Sequence, residues 1–193
     1  MTKDPRLATR DDIDQFAETF GTAMYDDPMI RWPLPSEVSV ESVIAMTNPI
    51  VSMYVEVGSA WMLEGGLAVA SWIAPAAAAR FDQLEQPTRA AIAPHTGDNG
   101  VRYGQFWDWL AAHLPSEPCW FMDLVAVQPS AWGRGLGGRL IEHGLALAGG
   151  DDLPAFLETA QQRNVAYYER FGFRVVGEEC APGGGPTIWF MRT

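Results

Sequence analysis

Residues 131–140, Ala-Trp-Gly-Arg-Gly-Leu-Gly-Gly-Arg-Leu, place four glycines and two arginines between Pro129 and the first turn of a predicted helix. Glycine in a helix is disfavoured by about 1 kcal/mol relative to alanine, so bare backbone must serve a purpose here. One purpose is phosphate binding. Unpaired N–H groups at a helix start point outward with partial positive charge, and residues without side chains let a pyrophosphate reach them. The other is a tight loop whose glycines permit close packing of helix on sheet. Gly133, Gly135 and Gly138 also match the G-x-G-x-x-G spacing of dinucleotide sites, with Glu158 lying 20 residues on, where a ribose-binding acid belongs. That pattern needs its first glycine directly after the strand. Here Gln128–Trp132 intervene after Val127, and the 55 residues after Gly138 are too few to complete a doubly wound sheet.

Two carboxylates stand out beside the loop. Asp123 is the sole charge in the apolar run 119–129, and by period two it shares a strand face with Val125 and Val127. Glu158 ends the next predicted strand, 155–159. Each is either a proton acceptor or a buried acid paired with an arginine or with backbone donors. His95, His113 and His143 have no usable spacing, and Cys119 and Cys180 make neither a disulfide framework nor a metal set. No metal site is expected.

The elements that must position these groups follow from periodicity. A short first strand is expected at 6–9 and a helix carrying Ile13, Phe16, Ala17, Phe20 and Met24 at helical spacing. Prolines then break the chain over 25–35, and a second helix, 39–54, is expected to kink or divide at Pro49. Two strands flank Glu64-Gly65-Gly66, and 82–95 is weakly helical. A third helical stripe runs from Tyr103 to Leu114. The second half reads strand, helix to about 148, strand 155–159, helix 162–171, and strands 173–179 and 187–192. This is a mixed α/β chain with its informative βαβ unit late in the sequence.

The 193 residues suit one domain, 1–193, with a substantial core. A formal charge of −11 argues against nucleic acid or an anionic membrane as a partner and favours a cationic substrate. The first residues, Met-Thr-Lys-Asp-Pro-Arg-Leu, carry no apolar leader, and a cytoplasmic location is expected.

The strand Leu124-Val125-Ala126-Val127, Pro129 and the loop Gly133-Arg134-Gly135-Leu136-Gly137 together resemble the acyl-CoA pyrophosphate loop of the GNAT acetyltransferase superfamily. A second motif, Asn164 followed by Tyr167-Tyr168-Glu169-Arg170-Phe171-Gly172-Phe173, is similar to that superfamily's Asn…Tyr-Glu-x-x-Gly-Phe. Stretches 6–12, 117–121, 154–159 and 163–173 resemble the puromycin N-acetyltransferase-like proteins within it. The likeness covers most of the chain and is weakest over about 25–105. One departure is Trp132, where the family usually has Gln or Arg.

The resemblance implies a GNAT fold, α/β of the α+β kind: a mixed central sheet with a splayed strand pair and helices on both faces. It implies an N-acetyltransferase that moves an acetyl group from acetyl-CoA to a small-molecule primary amine by direct attack in a ternary complex. It further implies cofactor contacts from Val125, Ala126, Val127, Gly133, Arg134, Gly135, Leu136, Gly137, Gly138, Asn164 and Tyr168. Tyr168 would face the thioester sulfur as a proton donor, and a bulge at Val127 would free an N–H for the thioester carbonyl. Asp123 and Glu158 are the candidate bases, Arg134 and Arg139 supply local positive charge, and Tyr167 packs. Trp32, Trp72 and Asp123 are expected at the acceptor, in a monomer or homodimer. Two rival readings are a non-catalytic acyl-CoA sensor of the same fold and a dinucleotide-binding protein.

Overall fold

The computed structural model describes residues 4–193, so residues 1–3 of the expected domain and N-terminal stretch lie outside the described residues. Among the described residues seven strands form one sheet: β1 (Arg6–Leu7), β2 (Ala60–Leu63), β3 (Ala68–Ile73), β4 (Trp120–Val127), β5 (Ala155–Thr159), β6 (Arg174–Cys180) and β7 (Thr187–Arg192). Their order is β1-β2-β3-β4-β5-β7-β6. Among the described residues β4–β5 is the one parallel pair. A doubly wound dinucleotide fold needs a run of parallel strands, which this sheet lacks.

Helices cover both faces, as expected. On one side α1 (Ile13–Ala23), α3 (Val40–Glu56) and α5 (Val101–Ala111) bury Phe16, Val43, Met46 and Phe106 against the sheet. On the other, α6 (Leu136–Gly150) and α7 (Gln162–Glu169) bury Leu140, Ile141 and Tyr168 against Trp72, Met122 and Leu157. A short helix, α2 (Pro28–Arg31), sits in the proline-rich break, started by Asp27, whose side chain accepts from the Met29 N–H at 2.9 Å. Two expectations are corrected. The α3 helix runs unbroken through Pro49, and the weakly helical stretch is a full helix, α4 (Ala78–Ile92), starting earlier and containing Pro87. No helix among the described residues is long and apolar enough to cross a membrane.

The feature that builds the site is where β4 leaves its neighbours. β5 pairs with β4 only over Trp120–Met122; beyond Met122 the two strands part. On the other edge, Ser71 pairs with Leu124 but Trp72 pairs with Met122, so Asp123 is an extra residue, a β-bulge. The bulge and the splay coincide at Asp123.

Candidate active site

The bulge changes which way β4 side chains point. Before it, Trp120 and Met122 face α6; after it, Val125 and Val127 do, while Leu124 and Ala126 face α1 and α3. The even-odd alternation has slipped by one. Asp123 therefore does not share a face with Val125 and Val127, contrary to the period-two reading; it points toward α3 and α5, where the Tyr54 hydroxyl donates to its Oδ2. The expected bulge at Val127 is likewise corrected, since Val127 pairs in register with Ala68.

Val127 nonetheless offers free backbone. The Gln128 N–H donates to the Leu67 carbonyl at 2.9 Å, so alternation commits the backbone groups of residues 126 and 128 to the β3 side. The N–H groups of Val125 and Val127 are left pointing into the gap between β4 and β5. The Val127 carbonyl accepts from the Trp132 indole N–H at 2.8 Å. Ala126, expected at the cofactor, is buried, with its backbone turned to β3.

Beyond the gap lies a cleft of about 590 Å³, lined by Val127, Trp132, Gly133, Gly135, Leu136, Gly137, Gly138, Arg139, Tyr167 and Arg170 among others. The glycines divide the two purposes set out above. Gly133 and Gly135 hold φ of +76° and +75° with open space where a Cβ would sit, so they serve the turn and leave room above it. Gly137 and Gly138 lie closer: added Cβ atoms would come within 3.3 Å of Val127 and Phe171, respectively. The first turn of α6 opens here, so its N–H groups face the cleft without intrahelical partners.

Two side chains differ from expectation at this cleft. Arg134 does not line it; the guanidinium is engaged by Glu64, which also lies 4.0 Å from Arg139. Tyr167, expected only to pack, does line it, with its hydroxyl 3.7 and 3.6 Å from where Cβ atoms on Gly137 and Gly138 would sit.

On the inner side of the gap is a small chamber of about 80 Å³. Asp123, Glu158, Tyr168, Asn164 and Val125 all line it, so the structure brings together the main sequence-derived candidates from β4, β5 and α7. Asn164 caps no helix; its amide donates to Thr159 Oγ1 at 3.4 Å. Helical geometry explains the tyrosine pair: neighbours on α7 are about 100° apart, so Tyr168 faces the chamber and Tyr167 the cleft. Sequence reasoning missed Tyr54, Tyr103 and Asp27, which complete the walls. The signal for Asp27 was its place before Pro28 as a helix cap; the tyrosines read only as helical core stripe.

Carboxylates and phenols crowd the chamber, and among the described residues no Lys or Arg lines it. Burial pushes the Asp123 carboxyl up to about 6, against a counteracting hydrogen bond from Tyr54. Burial first, then the nearby Asp123 charge, holds Glu158 well above the carboxylate range. Asp27 is also raised, chiefly by burial. Tyr168 is raised by burial and then by the Asp27 charge, so it keeps its proton across the neutral range. Among the described residues, Asp123 Oδ1 and Glu158 Oε2 are buried without hydrogen-bond partners. An entering ammonium would relieve this surplus of acid.

The expected acceptor residues Trp32 and Trp72 are corrected. Trp72 is 1% exposed, donates its indole N–H to the Leu140 carbonyl at 3.1 Å, and lies where a Cβ on Gly144 would be 1.9 Å from its ring. It is core. Trp32 packs on Phe106 and under Arg102 and lines neither the chamber nor the cleft. Trp107, on the helix α5, lines the chamber as well as packing on the core.

The sequence pattern of the Acetyltransferase (GNAT) family matches residues 70–173, which contain the bulge, the splay, the glycine loop and α7. The chain belongs to the GNAT acetyltransferase family. A curated relative, peptidyl-lysine N-acetyltransferase YjaB of Salmonella typhimurium, is 33% identical over 76 residues, 36% of this chain and 51% of that protein. The match thus spans about half the length of that relative. Among solved structures, a Corynebacterium glutamicum protein described as histone acetyltransferase HPA2 and related acetyltransferase superposes with a TM-score of 0.69 at 23% identity, covering 100% of this chain and 96% of that one. Drosophila melanogaster polyamine N-acetyltransferase gives 0.68 at 14% identity, covering 98% of each. These likenesses establish that this GNAT chain shares their fold.

Proposed function

We propose that this GNAT protein is an acetyl-CoA-dependent N-acetyltransferase acting, as one domain over 1–193, on a small-molecule primary amine in a ternary complex. The observation that carries the reading is the placement of Asp123, Glu158 and Tyr168 around one chamber where β4 and β5 part, next to the glycine cleft. The likeness to puromycin N-acetyltransferase-like proteins in the β5 and α7 motifs belongs to the same reading. A non-catalytic acyl-CoA sensor would use the cleft equally, but has no need of unpartnered acids beside a protonated phenol.

Acetyl-CoA, when bound, supplies an acetyl thioester. The N–H groups at the start of α6 and the open space over Gly133 and Gly135 suit its pyrophosphate, and the free backbone of Val125 and Val127 suits its pantetheine arm. Asp123, ionised above about pH 6, takes a proton from the incoming ammonium, leaving a neutral nitrogen to bond to the acyl carbon. Glu158, held above the usual carboxylate range by burial and by the Asp123 charge, is the weaker acid of the two. As the carbon–sulfur bond breaks, Tyr168 donates its proton to the departing sulfur and recovers one from the amine through solvent. The products are an amide and a free thiol.

Replacing Tyr168 by Phe keeps the ring and removes only the hydroxyl. A loss in kcat of roughly tenfold or more is expected, with acetyl-CoA affinity little changed. Tyr167→Phe, whose hydroxyl faces the cleft, should cost less in kcat. Steady-state kinetics of both variants with one responsive amine checks this, and near-wild-type kcat in both would remove Tyr168 from the mechanism. Trp132 is 65% exposed on the cleft rim. Trp132→Gln restores the family's usual side chain, so turnover should stay similar or acetyl-CoA bind more tightly. Collapse of activity in a folded variant would assign Trp132 an essential role.

A further inference from the structure

A second cavity reaches Asp123 from the other side. It is a groove of about 330 Å³ between α4 and the segment joining α5 to β4, walled by Pro75, Phe81, Leu110, Leu114, Pro118 and Phe121 among others. The volume lies at the lower end of the roughly 300–1,000 Å³ typical of small-ligand pockets. Asp123 and Trp107 line both this groove and the reaction chamber. Apolar side chains make up most of its lining, alongside Asp82, Glu85, Ser116 and Glu117, and Asp123 also lines it, its Oδ1 buried without a hydrogen-bond partner among the described residues.

Of the other acids in its lining, two are paired with arginines. Glu85 is engaged by Arg89, and Glu117 accepts from Arg192 at 3.0 Å. Asp82 is left. Most of the lining is apolar, so a second ammonium held away from Asp82 would be buried without a partner, which is disfavoured. An uncharged hydrocarbon body would be stabilised there in proportion to the apolar surface it removes from water.

We propose that this groove holds the body of the acceptor, and that the acceptor is a singly charged primary amine on an aromatic or bulky hydrocarbon frame, its nitrogen directed to Asp123. The assignment rests on the transferase reading above and narrows it to a substrate class. It ranks such amines above polyamines and short polar amines, whose bodies leave the apolar wall unfilled.

The test compares 2-phenylethylamine, ethylamine and putrescine as acceptors at saturating acetyl-CoA, with thiol release as readout, in the full chain and in Ala111→Trp. Ala111 lines the groove from the exposed end of α5, so the larger side chain fills the groove at little risk to folding. In the wild type, kcat/KM for 2-phenylethylamine should exceed those for ethylamine and putrescine by tenfold or more. Ala111→Trp should shrink that preference at least tenfold. Calorimetric titration of 2-phenylethylamine into the CoA-bound protein supplies a readout without turnover, and binding there should weaken in Ala111→Trp. Preference for putrescine, an equal loss for every amine, or undiminished binding to Ala111→Trp would overturn the groove assignment while leaving the transferase reading intact. Amine binding that fails in the groove variant, without turnover of any amine by the wild type, would instead overturn the transferase reading, and with it the acceptor role, while leaving the groove as an amine-binding site.

Discussion

Asp123→Asn should lower kcat/KM at neutral pH by about 10²–10⁴, the usual worth of a positioned proton acceptor, while raising the melting temperature. The two effects share one cause. Burial lifts the Asp123 carboxyl from 3.8 to about 6, so the folded protein holds that proton more tightly than the unfolded chain does. The stabilisation linked to it is complete below about pH 4 and is lost as pH rises through 6. At pH 8 the ionised carboxylate opposes folding by an amount on the order of 1–3 kcal/mol, worth several degrees in a chain of this size. Asparagine removes that charge and still accepts from the Tyr54 hydroxyl. Melting curves at pH 5 and pH 8 should show the gap between the two proteins widening with pH. The acidic limb of the wild-type kcat/KM profile, centred near 6, should vanish in the variant. A variant less stable than wild type at pH 8 would contradict the account.

Gly135→Asp should abolish acetyl-CoA binding. Gly135 holds φ +75° immediately before α6, and a Cβ there meets nothing within 4 Å. An aspartate therefore fits sterically at about 1–2 kcal/mol of backbone strain and places a carboxylate over the N–H groups that would meet phosphate. Gly135→Ala carries the same strain without the charge. A native-state ligand at 100 times its Kd stabilises by about 2.7 kcal/mol, an easily measured rise in melting temperature. That rise should persist in Gly135→Ala at reduced size and disappear in Gly135→Asp. Equal rises in the two would place the phosphates elsewhere.

Much of the architecture was legible from the chain because it is locally encoded. The apolar runs of β4 and β5 and the helical stripe of α1 carry their own periods, and the glycines before α6 announce a turn that needs left-handed backbone. What escaped depends on partners distant in sequence. The bulge at Asp123 is set by the register of Ser71 and Trp72 on β3, so strand alternation read within β4 alone put the carboxylate on the wrong face. Trp72 read as a pocket residue because nothing near it shows that Gly144, a helix away, makes room for its ring. The resemblance of its loop puts Arg134 at the cofactor, and its partner Glu64, 70 residues back, is not visible within that loop. Tyr54 and Tyr103 read as core, which they are; only the splay of β4 from β5 leaves a chamber for them to border.

The central claim is transfer of an acetyl group from acetyl-CoA to an amine, and free-thiol release by the purified wild-type chain tests it most directly. With acetyl-CoA and 2-phenylethylamine together, release should run well above the rate with acetyl-CoA alone, and mass spectrometry should find one N-acetylated amine for each thiol freed. Release no faster with amines than without them, in a protein whose melting temperature acetyl-CoA still raises, would contradict the claim and leave an acyl-CoA-binding protein in its place.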